Sequence, residues 1–498
     1  MSLKNRLISI IFSLLFLILM IYIAMTGKER EAEKEAVKEA KKETIRIWYA
    51  DAALTDYINS AALTFYDTKD VRVETKLVAG TEYLEAINKE TLTGSEMPDL
   101  YIIGNDYLGK AYMSGLATQI GDDVAIVNSS NYSKAALDAV TFHDKYVAYP
   151  FYCETSYLLF NKSYLMQIAK QVVLDEIKEA TEGSEEEDIE YMEGMEPEDT
   201  TEVEITPEIQ ALIDEKYQTM VPRSIEDIMN YANEYDAPEG VEAIFKWDVS
   251  DIFYNYFFVG AYANVGGDTG DDPSLIDIYN ESAIQCLEVY QQLNEFFYIE
   301  ADTVSYESVI QEFIEGKLIF TVATTDAIAK IEQAISNGEF TQEYGVLKIP
   351  DINDEIKTRS LSTTHVVAIN SYSEKQDIAN EFAKLLTFDS VESLYTRTGK
   401  APAKMNVNHP YEAMEIVLAE YAQSISMPKL PETGNYWVEM ELCFTKAWIG
   451  EDVNLLLKAL SEKMKGQITG TVVEETYIVM PEKGDEEILD AGDEIIEQ

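Results

Sequence analysis

Residues 44–468 switch repeatedly between two periods of apolar positions. Thr44-Ile-Arg-Ile-Trp-Tyr49 reads as a short β run, and Ile58, Ala62 and Phe65 then recur at helical spacing. Val71 to Val78 is β-like again. Pro98 to Ile103 is an apolar strand ending at Gly104, and Tyr146 to Pro150 is another. Later, Ser224 caps a helix start, Tyr306 to Glu315 is a helix stopped by Gly316, and Leu318 to Val322 is a strand. Ser373 with Gln376 forms a capping box ahead of Ile378, Phe382 and Leu385. Val453, Leu456, Leu457, Leu460 and Met464 are the stripe of a last long helix. Strand–helix–strand repetition predicts an α/β fold with right-handed crossovers and a largely parallel sheet.

The two ends and one internal stretch break this pattern. Lys4 and Arg6 precede an uncharged run of 19 residues, Leu7 to Met25. That length crosses a bilayer as a helix, and the leading basic residues place the N-terminus inside and the rest outside. Residues 1–26 are thus expected to be a transmembrane anchor, or a signal cleaved after Thr26; no Cys follows to accept a lipid. Residues 27–43 carry six basic and six acidic residues, with Glu31–Lys34, Glu35–Lys38 and Glu39–Lys42 spaced for a solvated helical stalk. Glu182 to Glu204 holds twelve acidic residues and no base, so a flexible insertion spanning about 180–208 is expected. Residues 469–498 form an acidic tail, expected to be peripheral and partly disordered.

Charge narrows the partners. With 91 acidic against 38 basic residues the net charge is −53, which repels nucleic acid and anionic membrane surfaces. Cys153, Cys286 and Cys443 are odd in number and lack metal-ligand spacing, so buried free thiols are expected. With only His143, His365 and His409, no zinc set forms, and neither metal nor cofactor is expected.

Candidate chemistry gathers in three stretches: Asp99-Leu-Tyr-Ile-Ile-Gly-Asn-Asp106, Ala148-Tyr-Pro-Phe-Tyr-Cys-Glu154 and Met427-Pro-Lys-Leu-Pro-Glu-Thr-Gly-Asn-Tyr-Trp437. Each sets a carboxylate or a large aromatic where a strand or helix ends, the place where α/β clefts collect ligand groups. Carboxylates accept sugar hydroxyls in charge-assisted bonds, and aromatic faces cover the C–H face of a pyranose. Asp106, Glu154, Trp437, Tyr436, Trp48, Trp247, Tyr254 and Tyr256 are the candidate ligand residues. Core packing is the competing role for Trp48 and for the 245–258 aromatics, and helix capping for Asp106.

With Glu312-Phe-Ile-Glu-Gly-Lys-Leu-Ile-Phe-Thr-Val322 added, the order of these segments resembles the solute-binding proteins of carbohydrate ABC importers, the maltose-binding-protein family. The resemblance covers about Thr44 to Ile468. It implies a two-lobed, hinged fold, with 44–152 plus 360–407 as lobe one and 153–359 plus 408–468 as lobe two. It also implies that Asp106 and Glu154 hold sugar hydroxyls, that Trp437 stacks on a pyranose, and that permease subunits are the partners. Asp326 stands where some maltodextrin binders have a Trp, and Glu441 where they have an Arg, which leaves the particular sugar open. A surface sensor or adhesin, a binder of another solute, and a glycosidase using Asp106 and Glu154 are the competing functions; no nucleophile elbow, phosphate loop or catalytic triad supports the last.

Overall fold

A computed structural model describes residues 43–80, 82–94, 96–121, 125–182 and 205–481. The Leu7–Met25 run, nearly all of the stalk, the acidic insertion from 183 to 204 and the end of the tail lie outside the described residues. Among the described residues, no helix is long and apolar enough to cross a membrane.

The backbone of the fold is one sheet built around a single 13-residue strand, Tyr149–Asn161. Its first half pairs antiparallel with Leu361–Ile369, from Val367 opposite Tyr149 to Ser362 opposite Thr155. Its second half pairs antiparallel with Leu318–Thr324 and with Tyr344–Leu347. Beyond Leu361–Ile369, the order continues through Leu100–Gly104 and Thr44–Tyr49 to Arg72–Leu77; on the other side, Leu318–Thr324 leads to Ala243–Phe245. The molecule therefore has two half-sheets that share one strand.

The sheet is mixed, not largely parallel. Thr44–Tyr49 runs parallel to both of its neighbours, as strand–helix–strand crossovers require. The two strands that pass between the half-sheets, Tyr149–Asn161 and Leu361–Ile369, run antiparallel to each other and to most of their other partners. Twelve of the 13 residues of Tyr149–Asn161 are buried, Glu154 being half-buried, and such a strand carries no alternation to reveal its length.

Local chemistry explains most element ends. Ser224 and Asp227 close a capping box on Ile225–Glu234, and Gly316 ends Tyr306–Ile314 in the left-handed region at φ 76°. Ser373 is not the cap of Gln376–Lys384: its hydroxyl is donated to Asp99 at 2.5 Å, tying that loop to the strand beginning at Leu100. The three cysteines are free and buried. The tail is peripheral but its first part is fastened. Glu475 accepts from Ser461 and Lys465 on the last helix, Val453–Thr469, and the Ile478 amide donates to the Tyr279 hydroxyl.

Candidate ligand-binding cleft

Three chain segments meet where the half-sheets join. Thr44–Tyr49 ends two residues before Asp51, whose carboxylate accepts from the Ala53 amide at 2.9 Å. Glu154 sits at the middle of the shared strand. Gly399, at φ 70°, turns the chain out of the helix Leu394–Thr398 into Ala401–Pro402, which pairs with Cys153 and Tyr152. That register sets Lys400 against Glu154 across almost 250 residues of sequence. The Lys400 ammonium lies 2.8 Å from Glu154 and 3.0 Å from Asp51, bridging the two carboxylates. It also lies 5.5 Å over the ring of Tyr152, which stacks on His365 at 4.2 Å with the two planes nearly parallel. With Leu54, Tyr83, Ile103, Gly104 and Tyr107, these residues line a cavity of about 570 Å³.

Electrostatics fix the charge of this group. Burial opposes the charge on Asp51, but the adjacent Lys400 outweighs it and holds the carboxyl below its ordinary range. Burial likewise opposes the ammonium of Lys400, and Glu154 with Asp51 outweighs it, raising its pKa. Burial lowers the pKa of His365, so at neutral pH this ring is uncharged. The trio is thus two carboxylates locked around one cation, an arrangement that fixes acceptor positions before a ligand arrives.

Asp106 lies between the lining residues Gly104 and Tyr107. Burial pushes its carboxyl up to about 6, against the opposing pull of the backbone amides of Asp106 and Tyr107. A Cβ on Gly104 would come within 2.5 Å of the Asp106 Oδ1, so the glycine makes room for this rotamer. The folded protein holds this proton more tightly than the unfolded chain does, so stability falls as pH rises from about 4 to about 6 and stays lowered above that. Asp106→Asn should therefore stabilise the unliganded fold by about 1–2 kcal/mol at pH 7, with a gain that shrinks between pH 6 and pH 4. Urea titrations of both proteins across that range measure it, and an equal gain at every pH would count against it.

The second half-sheet packs beside the shared strand just past Glu154. Ser156, two residues past Glu154, donates to the Phe253 carbonyl at 3.3 Å and brings the turn Ile252–Tyr254 beside the shared strand. Tyr254 stacks on Tyr306 at 4.7 Å and 11°. Buried Asp248 steadies the pair, accepting from the amides of Ser250 and Tyr306 at 2.9 Å. Burial raises the Tyr254 hydroxyl pKa, and Asp251, Asp326, Asp248 and Glu154 raise it further. Asp326 accepts from Tyr306 and Thr324 at 2.7 Å and pairs with Lys330 at 2.8 Å. Asp326 is thus part of the support beneath the Tyr254–Tyr306 stack. Trp437, half-buried at the start of the helix Tyr436–Trp448, meets Tyr256 and Tyr436 edge-on at 5.4 and 5.0 Å.

The remaining sequence candidates are core residues. Trp247 is fully buried; its ring stacks on Phe245 at 4.5 Å, meets Trp448 edge-on, and its indole N–H is donated to Asn255 at 2.8 Å. Tyr256 and Tyr436 are buried and share a hydrogen bond of 3.1 Å between their hydroxyls. Trp48 is 2% exposed, with the Lys76 ammonium 4.4 Å over its ring, and it does not line the cavity. None of these four offers a free ring face to a sugar. The structure brings Glu154 together with Asp51, Lys400, Tyr152 and His365, none of which sequence reasoning selected. Asp51 was within reach of the rule that found Asp106, a carboxylate just past an apolar strand.

Comparison with known proteins decides the family. Residues 49–392 match the family model described as bacterial extracellular solute-binding protein. The chain belongs to that family. Among its relatives, this solute-binding protein is 22% identical over 370 residues to a maltotriose-binding protein of Pyrococcus abyssi. That match takes in 71% of this chain and 66% of the relative, just under two thirds of its length. The fold matches a cyclo/maltodextrin-binding protein solved with maltotetraose, with a TM-score of 0.65 and 19% identity over 86% of this chain and 98% of that one. It also matches the maltose-binding periplasmic protein of Listeria monocytogenes, with a TM-score of 0.61 and 18% identity over 87% and 100% of the two chains. A maltotriose-binding protein of Thermus thermophilus gives 0.59 and 18% over 86% and 99%. The mixed α/β, two-lobed architecture is shared with these proteins.

Proposed function

We propose that the protein captures a sugar or oligosaccharide between its two half-sheets and delivers it to the permease of an ABC importer. The observation that carries this reading is the Asp51–Lys400–Glu154 trio at the base of the cleft, with the Tyr254–Tyr306 stack beside it. Preset acceptors on one side and aromatic faces on the other suit the hydroxyl edge and C–H face of a saccharide. The relatives named for maltotriose and maltose, and the one solved with maltotetraose, support a gluco-oligosaccharide class. Lobe one is assigned 44–152 with 360–407, and lobe two 153–359 with 408–468. The protein works outside the cytoplasm, held at the membrane by Leu7–Met25 and spaced from it by the charged stalk. It is a binding protein and not an enzyme.

Calorimetric titration with a panel of neutral oligosaccharides tests the reading, and silence across the panel would overturn it. With the best ligand, Trp437→Ala should weaken binding by about 1–2 kcal/mol, a moderate anchor because the ring is only half-buried. The melting temperature of the unliganded variant should change little. An unaltered affinity would place the second wall of the site elsewhere.

A further inference from the structure

A second cavity, of about 690 Å³, lies away from the cleft where the chain passes between the half-sheets. Its lining comes from four segments: Pro222–Arg223, 347–351, 357–359, and Ile416, Glu420 and Gln423 of the 416–423 stretch. Lys348 follows the strand Tyr344–Leu347 of the second half-sheet. Arg359 precedes Leu361–Ile369, and Gln423 precedes Ile425–Ser426, both strands of the first half-sheet. Segment 222–225 is bonded alongside 350–352, with the Ile225 amide donating to the Asp351 carbonyl at 2.8 Å and Ser224 bridged to Asp351.

The charge of this lining is opposite to that of the molecule. Arg223, Lys348, Lys357 and Arg359 converge here in a chain of net charge −53. Among the described residues, Lys357 alone of the four is ion-paired, to Asp351 at 3.0 Å; Lys348 feels the charge of Glu420 and Arg359 that of Asp268, but neither forms an ion pair, and nor does Arg223. The guanidinium of Arg359 is fixed by the carbonyls of Gln423 at 2.9 Å and Ser424 at 3.2 Å. Carbonyls orient a guanidinium without neutralising it, and three of its five N–H groups have no acceptor among the described residues. The other lining carboxyl, Glu420, is buried, its pKa raised chiefly by that burial, and it accepts the Ser360 hydroxyl at 2.5 Å. Cations held apart around a cavity, with one pre-oriented fork, form a receptor for a polyvalent anion.

We propose that this junction cavity binds a small organic anion bearing two or more charges, a phosphate ester or a polycarboxylate. Arg359 is the fixed fork, and Arg223 and Lys348 close on the anion from the neighbouring segments. The bound anion would join the segment leaving one half-sheet to the segments entering the other. This site is separate from the sugar cleft and does not depend on what the cleft binds.

The test is calorimetry with citrate and with inorganic phosphate on the full chain, at ionic strength matched with sodium chloride. Saturable one-site binding of at least one of the two anions is expected. Binding should weaken at least tenfold in Arg223→Gln/Lys348→Gln and persist in Arg223→Lys/Lys348→Arg. Both changes are at exposed side chains, so the variants should keep the parent melting temperature in chloride; Lys348→Gln alone, expected to lose several-fold, serves if the double variant misfolds. Heats no different from dilution for both anions would overturn the proposal, as would equal binding by the parent and the glutamine variants.

Discussion

Trp247→Ala should cost the fold about 3–5 kcal/mol, the range for deleting a large aromatic from a packed core. Trp247 has no exposed surface, and its removal strips the stack with Phe245, the edge contact with Trp448 and the hydrogen bond to Asn255. Asn255 would then keep a buried carbonyl oxygen without its donor, adding to the cost of the empty volume. The cavity should be almost untouched, because Trp247 does not line it and the Asp51–Lys400–Glu154 trio lies on other elements. Urea unfolding and calorimetry with the best sugar separate the two effects. A variant with intact stability and lost affinity would return Trp247 to the ligand site.

Lys400→Met should lower stability by about 2–3 kcal/mol and weaken sugar binding by tenfold or more. Methionine keeps most of the aliphatic stem, so the change isolates the charge. The side chains of Lys400, Asp51 and Glu154 are 19%, 32% and 30% exposed, which places the cost below that of breaking a fully buried pair. Two carboxylates left facing each other would repel and turn away from the positions that a ligand needs. The pH dependence carries a sign. Asp51 is held below its ordinary range, so its share of stability is present above about pH 4 and is lost as acid protonates it. Lys400 is held above its ordinary range, so its share is present below about pH 10 and is lost as pH rises through its folded value. The gap between parent and variant should therefore be widest between those limits and narrow outside them. A constant gap across pH, or a Lys400→Arg variant no better than Lys400→Met, would mean that the cation does not organise the site.

The contrast between these two residues shows what the sequence could carry. Local signals placed the ends of Thr44–Tyr49, Leu100–Gly104 and Tyr306–Ile314 to within a residue or two, because strand period, Gly104 and Gly316 are written in neighbouring positions. The shared strand was read only as far as Pro150, since burial on both faces removes the alternation that would have shown its length. The antiparallel passages between half-sheets left no local trace either. Glu154 was legible as a carboxylate in an apolar run that needs a partner. Its partner was not, because Lys400 arrives through a strand register set almost 250 residues away. Aromatic count likewise says how much ring area a chain owns but not which faces it hides; Trp247 and Tyr436 went to the core, and Tyr254 and Trp437 stayed partly open.

Because Tyr149–Asn161 belongs to both half-sheets, any rotation of one against the other must twist that strand near Glu154 to Ser156, where its pairing changes partners. A group on the axis of a lever travels almost no distance, while groups far from it sweep the widest arc. If the half-sheets turn about this strand, Glu154, with Lys400 paired beside it, would keep nearly the same position whether the cleft is wide or narrow, and Trp437, in the proposed second lobe, would make the approach. A ligand would meet the carboxylates first, in an arrangement already set. Its arrival at the aromatic wall would then report how far the lobes have turned, which divides the site into a stationary anchor and a moving gauge of closure.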